Sequence, residues 1–295
     1  MNEEEKVCIS MNPTNPILLV AESGSDITPE IAKQYGVTIV PMHVAYGGQT
    51  RDDGSFPVTE MFEHYAKTRD LPRTSGCTPH DFEIVFDRLQ KEYPGRPILH
   101  LAYSACTTCS MQSAVIASEE RENIHFVDTK QVSAAQGAVV IAVAEYLKAN
   151  PDATAEQAAA KAEGIAATVR MGFFPGDLDY LRAGGRVSNA AYLGAKLLSL
   201  HPLIEILDGK LMSTKKYRGN MAKVVSKLVS EYTENLDAEK PVYLIYGAGL
   251  DEKIMRDAEQ IVKDKGFAQY SWVQTGCVIA AHSGPGAFGI VGFAK

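Results

Sequence analysis

The sequence predicts an α/β protein of two domains: an N-terminal parallel-sheet α/β/α domain and a C-terminal α+β domain with a mixed sheet. Three observations carry that prediction. In the first half, short apolar runs bounded by polar turns alternate with helix starts, the pattern of a parallel sheet covered on both faces. In the second half, Asp208-Gly209 joins two β-rich runs, a strong hairpin signal, so part of that sheet is antiparallel. And 295 residues, 45% of them hydrophobic and 22% charged, are enough to bury two cores. The expected divisions are an N-terminal extension over 1–16, an α/β domain over 17–160 and an α+β domain over 161–295, the change of grammar falling between Pro151 and Thr168.

Taken in order, PILLVAE (16–22) is a strand, followed by a polar turn and a helix opened by Thr28-Pro29-Glu30, where Thr caps and Pro fits the first helical position. VTIVPMHV (37–44) is β-rich and runs into AYGGQTRDDGSF, read as a hairpin or excursion. Thr78 and Asp81 form a capping box for a helix whose Phe82, Val85, Phe86 and Leu89 share one face. RPILHLAYS and IHFVDT are strands, and SAAQGAVVIAVAEYLKAN is a mostly buried helix. A second capping box, from Thr154 to Gln157, opens an Ala-rich helix. Beyond it TVRMGFF, the hairpin LIEILDGKLMSTKKYR, PVYLIYGAG, QYSWVQTG and GAFGIVGFA are strands, with an amphipathic helix over 251–265.

Composition excludes several function classes. A formal charge of -7 with thinly spread Lys and Arg argues against a nucleic-acid surface. The start, MNEEEK, lacks an apolar targeting core, and no apolar run approaches the length of a spanning helix, so a cytoplasmic location is expected. Five cysteines fit a reducing compartment better than a disulfide framework.

Three hydroxyl-rich loops, ESGSD (22–26), RTSGCTP (73–79) and YSACTTCSMQSA (103–114), lie beyond strand ends, where ligands of open α/β sheets gather. Each can hold an anion on orphan N–H groups, or can simply cap a helix. Cys106 and Cys109 have redox or metal spacing without a second ligand pair. Ser104 or Cys106 with His282 makes a nucleophile and base of a hydrolase, although no G-x-S-x-G elbow is present. The C-terminal GPG is no phosphate loop, because no Lys-Ser/Thr follows.

In order along the chain, ESGSD, TSGCTP, SACTTCSMQSA, DTK, GDLDYLRAGGRVS, DGKLMSTKKYRG and HSGPG resemble the motifs of the DegV family, from Ile17 to Lys295. The resemblance implies a two-domain carrier that holds one long-chain fatty acid between its domains. It implies further that the carboxylate is presented to a separate catalytic subunit, a fatty acid kinase, which makes the acyl phosphate from ATP. The carrier would be no enzyme and would need no cofactor. Its partners would be the fatty acid and the kinase subunit, with transient membrane contact for lipid exchange and no nucleic acid.

Carried over residue by residue, the resemblance makes Thr74, with Ser75 beside it, Ser104 and His282 the carboxylate ligands. Thr108 and Gly284 fall in the same motifs, and Arg218 matches a position near the head group. Arg182 and Arg186 match a segment facing the kinase. The chain departs from the family pattern at Glu22, usually Asp, at Gly76-Cys77, usually Gln-Pro, and in SACTTCS, usually SSGLSGT. The residues themselves point the same way: hydroxyls and one imidazole suit a single carboxylate, whereas a polyanion recruits a cluster of Lys and Arg. A buried acyl chain gains roughly 0.8 kcal/mol per CH₂ and needs a long apolar slot. GAKLLSLHPLIEIL (194–207) and Phe173-Phe174 are candidates to line it, though core packing would account for them equally.

Overall fold

The structure is a computed structural model that describes residues 16–187 and 200–295. Strand β1 (Leu18–Glu22) is wholly buried, and the helix α1 (Pro29–Tyr35) that follows is capped by Thr28, whose hydroxyl accepts from Ile31 N. Pro41 divides the expected run at 37–44 into β2 (Val37–Val40) and β3 (His43–Tyr46). This fits a residue with no N–H for a sheet ladder. The segment after it is indeed a hairpin: β3 turns through Gly47 and Gly48 into β4 (Gln49–Asp52), and β5 (Arg73–Ser75) returns to β3 after α2 (Val58–Thr68). These strands form a small sheet of order β4-β3-β5.

Helix α3 (Pro79–Glu92) carries the Thr78–Asp81 capping box and buries Phe82, Val85, Phe86 and Leu89. It leads to β6 (Ile98–Ala102), α4 (Ser110–Ala117), β7 (Ile124–Asp128) and α5 (Ser133–Ala149). The four-stranded sheet has order β2-β1-β6-β7 and is parallel throughout. Helix α6 (Ala155–Thr168) has its own Thr154–Gln157 capping box and packs on α5, β6 and β7, so the expected division after residue 160 falls inside one continuous helix.

The chain then enters β8 (Val169–Phe174), α7 (Leu178–Gly184), the antiparallel hairpin of β9 (Leu200–Leu207) and β10 (Lys210–Arg218), and α8 (Met221–Thr233). After these come β11 (Val242–Tyr246), α9 (Glu252–Asp264), β12 (Tyr270–Gln274), α10 (Cys277–Ser283) and β13 (Phe288–Phe293). The mixed sheet has order β10-β9-β8-β13-β11-β12, with only β11 and β12 parallel. Its outer face is packed by α8 and α9 around Val224, Leu228, Val262, Phe288 and Ile290. The other face shares a continuous core with the parallel half, because α5, buried on most of its surface, touches strands of both large sheets. Among the described residues no helix is long and apolar enough to cross a membrane.

Candidate functional site

Helix α10 was not legible in the sequence, and it organises the site. It lies against α7 on one side and α2, β3 and β5 on the other, so residues from both halves of the chain meet on it. Its N-terminus is held by the first half. Asp26 Oδ1 accepts from Gly276 N at 2.8 Å, and Asp53 Oδ1 accepts from Cys277 N at 2.8 Å and Val278 N at 3.2 Å. Orphan N–H groups at a helix start favour such acceptors. Burial nevertheless pushes the Asp26 carboxyl up to about 7, against the hydrogen bonds from Ser133 and Gly276, and also raises Asp53. The ESGSD loop is therefore a buried acidic tie and not an anion site. Its Glu22 is fully buried too, accepts from Tyr103 N at 2.9 Å and Gln136 Nε2 at 2.8 Å, and faces His100 at 3.2 Å.

At the other end of α10, His282 Nε2 lies 2.8 Å from Thr74 Oγ1, although 208 residues separate them. Its Nδ1 is buried with no hydrogen-bond partner. Burial, with the positive charge of Arg186 adding to it, pulls the imidazole down to about 4, so the ring is neutral near pH 7. The Nδ1 edge of the ring points at Gly184, where a Cβ would come within 2.1 Å of Nδ1. Any side chain at 184 would displace the imidazole.

Thr74 and His282 stand in the wall of a cleft lined mostly by apolar side chains. Ser75, Thr107, Thr108 and Arg186 complete a polar region there, while Met42, Val132, Met171, Phe173, Leu211, Ile245, Val278 and Ile279 supply apolar wall. A more open crevice shares Thr107, Thr108 and Arg186 and continues past Cys106 and Cys109. The cleft thus combines several hydroxyls, an imidazole and a guanidinium with a mostly hydrocarbon lining. It can accept a molecule with one small anionic head and an apolar body.

The model of the DegV family matches residues 16–295. The chain belongs to the DegV family. A DegV domain-containing protein of Caldanaerobacter subterraneus is 26% identical over 280 residues, spanning 93% of this chain and 97% of the relative, and the Bacillus subtilis protein DegV is 24% identical over 276 residues, spanning 93% and 98%. Among solved structures, a fatty-acid-binding DegV family protein from Thermus thermophilus superposes with a TM-score of 0.82 at 26% identity, covering 95% of this chain and 99% of that one. DegV of Bacillus subtilis, described as a fatty acid binding protein, superposes with a TM-score of 0.82 at 25% identity, covering 95% and 99%.

Within this DegV-family chain, not every expected site residue reaches the cleft. Thr74, Ser75, Thr108 and His282 do. Ser104 does not: it is fully buried, and its hydroxyl donates to Gly209 O at 2.7 Å, tying the β9–β10 turn to the parallel half. Nor does the structure assemble Ser104 and His282 as nucleophile and base, since the imidazole is spent on Thr74. Cys106 Sγ lies 3.8 Å from Asp208 O on the same turn, and Cys106 and Cys109 are both exposed. Among the described residues, they join no cluster of three or more potential metal ligands.

Arg218 is exposed at the end of β10, opposite Leu200, away from the cleft lining. Gly284 is outside that lining as well. It ends α10 with φ 72°, and a Cβ there would meet Asp177 at 2.9 Å, so the missing side chain lets the two turns pack. Arg182 ends α7 and is ion-paired with Asp179 at 2.5 Å. Arg186, expected to face a partner, is exposed at the rim of the cleft beside His282. Phe173 lines the cleft, whereas Phe174 is packed in the outer core. Of the expected lining run 194–207, residues 194–199 and Ser188 of the GGRVS motif lie outside the described residues, and Leu200–Leu207 contribute no wall.

The departures from the family pattern have a local logic. At Gly76 a Cβ would come within 2.3 Å of Thr108 Oγ1 and 2.5 Å of Ser110 Oγ, so the missing side chain makes room for these two hydroxyls. Residues that sequence reasoning missed include Gly184, Thr107 and the capping Asp53. The spacing of DLDYLRAGGR carried no signal for Gly184, because its neighbour His282 is 98 positions away.

Proposed function

We propose that this protein binds one long-chain fatty acid in the cleft and presents its carboxylate, without catalysing a reaction itself, to a separate ATP-dependent kinase subunit. The observation that carries the reading is the Thr74–His282 pair, 2.8 Å apart, in a mostly apolar cleft. The names of the Thermus and Bacillus structures support the same ligand class for this chain.

The chemistry follows from the groups present. A carboxylate entering beside the pair accepts from the Thr74 hydroxyl, whose oxygen is held by His282 Nε2, with Thr108 a second donor and Arg186 at the rim supplying positive charge. Hydrogen bonds to an ionised acceptor contribute roughly 1.5–3 kcal/mol each. The acyl chain lies against Met171, Phe173, Ile245 and Val278, where burial drives binding. A hydrolytic role for Thr74 and His282 is disfavoured on the same geometry. An imidazole held at about 4 is a weak general base near pH 7, and its Nδ1 has no carboxylate to orient it.

The test is a coupled assay with a fatty acid kinase subunit, ATP and long-chain fatty acid. Acyl phosphate that forms only when both proteins are present supports the reading. Turnover of fatty esters by this protein alone, or bound lipid that the kinase cannot phosphorylate, contradicts it.

A further inference from the structure

The cleft has a second polar group that the fatty-acid head does not use. Thr275, just before α10, lines the cleft, is 4% exposed, and its Oγ1 has no hydrogen-bond partner. A buried hydroxyl left unpaired is costly, and most such groups in folded proteins are satisfied. Ser133 lines the same cleft. Asp26 connects them, accepting from Gly276 N with one oxygen and from the Ser133 hydroxyl with the other. Ser133 thus keeps its oxygen lone pairs free to accept, while Thr275 can donate or accept.

The placement along α10 is informative. Thr275 and His282 bracket Val278 and Ile279, which are apolar and line the same wall. The rise of a helix separates the two polar positions by roughly 10 Å. A chain with its carboxylate at His282 therefore passes methylenes over Val278 and Ile279 and reaches Thr275 and Ser133 near its middle.

We propose that Thr275 and Ser133 form a mid-chain polar subsite that selects an oxygenated fatty acid, one with a hydroxyl near the middle of its chain, over the plain saturated acid. The ligand hydroxyl donates to Ser133 Oγ and accepts from Thr275, and a saturated chain leaves Thr275 unpaired. This rests on the fatty-acid reading above.

The experiment measures the affinity of delipidated protein for octadecanoate, 10-hydroxyoctadecanoate and 2-hydroxyoctadecanoate, in the wild type and in Thr275→Val and Thr275→Ser. Wild type should bind the 10-hydroxy acid about tenfold tighter than octadecanoate, the scale of one buried hydrogen bond, with no such gain for the 2-hydroxy acid. Thr275→Val should lose or reverse the preference while still binding octadecanoate, and Thr275→Ser should keep it. Equal affinity of wild type for the 10-hydroxy acid and octadecanoate overturns the subsite and leaves the fatty-acid reading standing. So does a preference unaffected by Thr275→Val. Failure of wild type to bind any of the three acids overturns both.

Discussion

His282 is held by three different kinds of contact: a hydroxyl at Nε2, a glycine against Nδ1, and the helix that carries it. Each makes its own prediction. His282→Ala and Thr74→Ala should each weaken fatty acid binding by roughly tenfold to a hundredfold, the loss of one hydrogen bond to a charged acceptor or of the ring that holds its donor, with little change in melting temperature. Gly184→Ala should do the same without touching any donor, because its methyl displaces the ring. Isothermal titration with the melting temperature measured alongside separates these outcomes from unfolding. Ser104→Ala should behave oppositely: affinity near that of wild type and a lowered melting temperature, since its hydroxyl donates within the protein. The motifs around Thr74 and His282 were readable from residue order, but the fate of Ser104 was not. A hydroxyl beside a strand end looks alike in sequence whether it meets a ligand or a backbone carbonyl.

Among the elements, α10 decides the geometry. Its seven residues, CVIAAHS, are too short a run to show a helical period, so nothing in the sequence marked it. Its caps come from Asp26 and Asp53, some 220 to 250 positions earlier, which no local pattern can reveal. By contrast, the Thr28, Thr78 and Thr154 caps were legible because donor and acceptor are neighbours in the chain. Asp53→Ala leaves the Cys277 and Val278 N–H groups without their acceptor and should cost about 1 kcal/mol of stability. It should also loosen fatty acid binding through the shift of His282.

Asp26 adds a pH dependence at this scale. Its carboxyl is raised from an ordinary 3.8 to about 7, so the folded protein binds a proton there that the unfolded chain has released. That stability is fully present below the unfolded value and is lost as pH rises through about 7. His282, pulled down to about 4, acts with the opposite sign, its contribution changing below about pH 6.5. Between about pH 4 and 7.5 the melting temperature of wild type should therefore fall relative to Asp26→Asn, which keeps His282, as followed by thermal denaturation in matched buffers. Parallel curves across that range would remove the buried proton from the account.

For the whole molecule, the cleft exists because two sheets share α5 and the β9–β10 turn is pinned onto the parallel half. Ser104 holds Gly209, and Lys130 Nζ reaches Asp208 at 2.7 Å. The alternation of strands and helices foretold both sheets, and Asp208-Gly209 foretold the hairpin. What the sequence could not foretell was that this hairpin would use the very loop assigned to the ligand. The two arginines of LRAGGR also part company in space. Arg186→Glu, at the rim beside His282, should weaken both fatty acid binding and kinase-dependent acyl phosphate formation, while Arg182→Glu, paired with Asp179, should leave affinity unchanged. Equal effects of the two charge reversals on affinity would place Arg186 outside the head-group site.

The central claim is that the cleft holds one fatty acid. Mass spectrometry of the purified protein, native and then denatured and extracted, measures this directly. About one long-chain fatty acid per chain, released on denaturation and reduced in amount in His282→Ala, is the result the account predicts. Protein that carries no lipid as purified, and takes up none when delipidated and offered long-chain fatty acids, would contradict it.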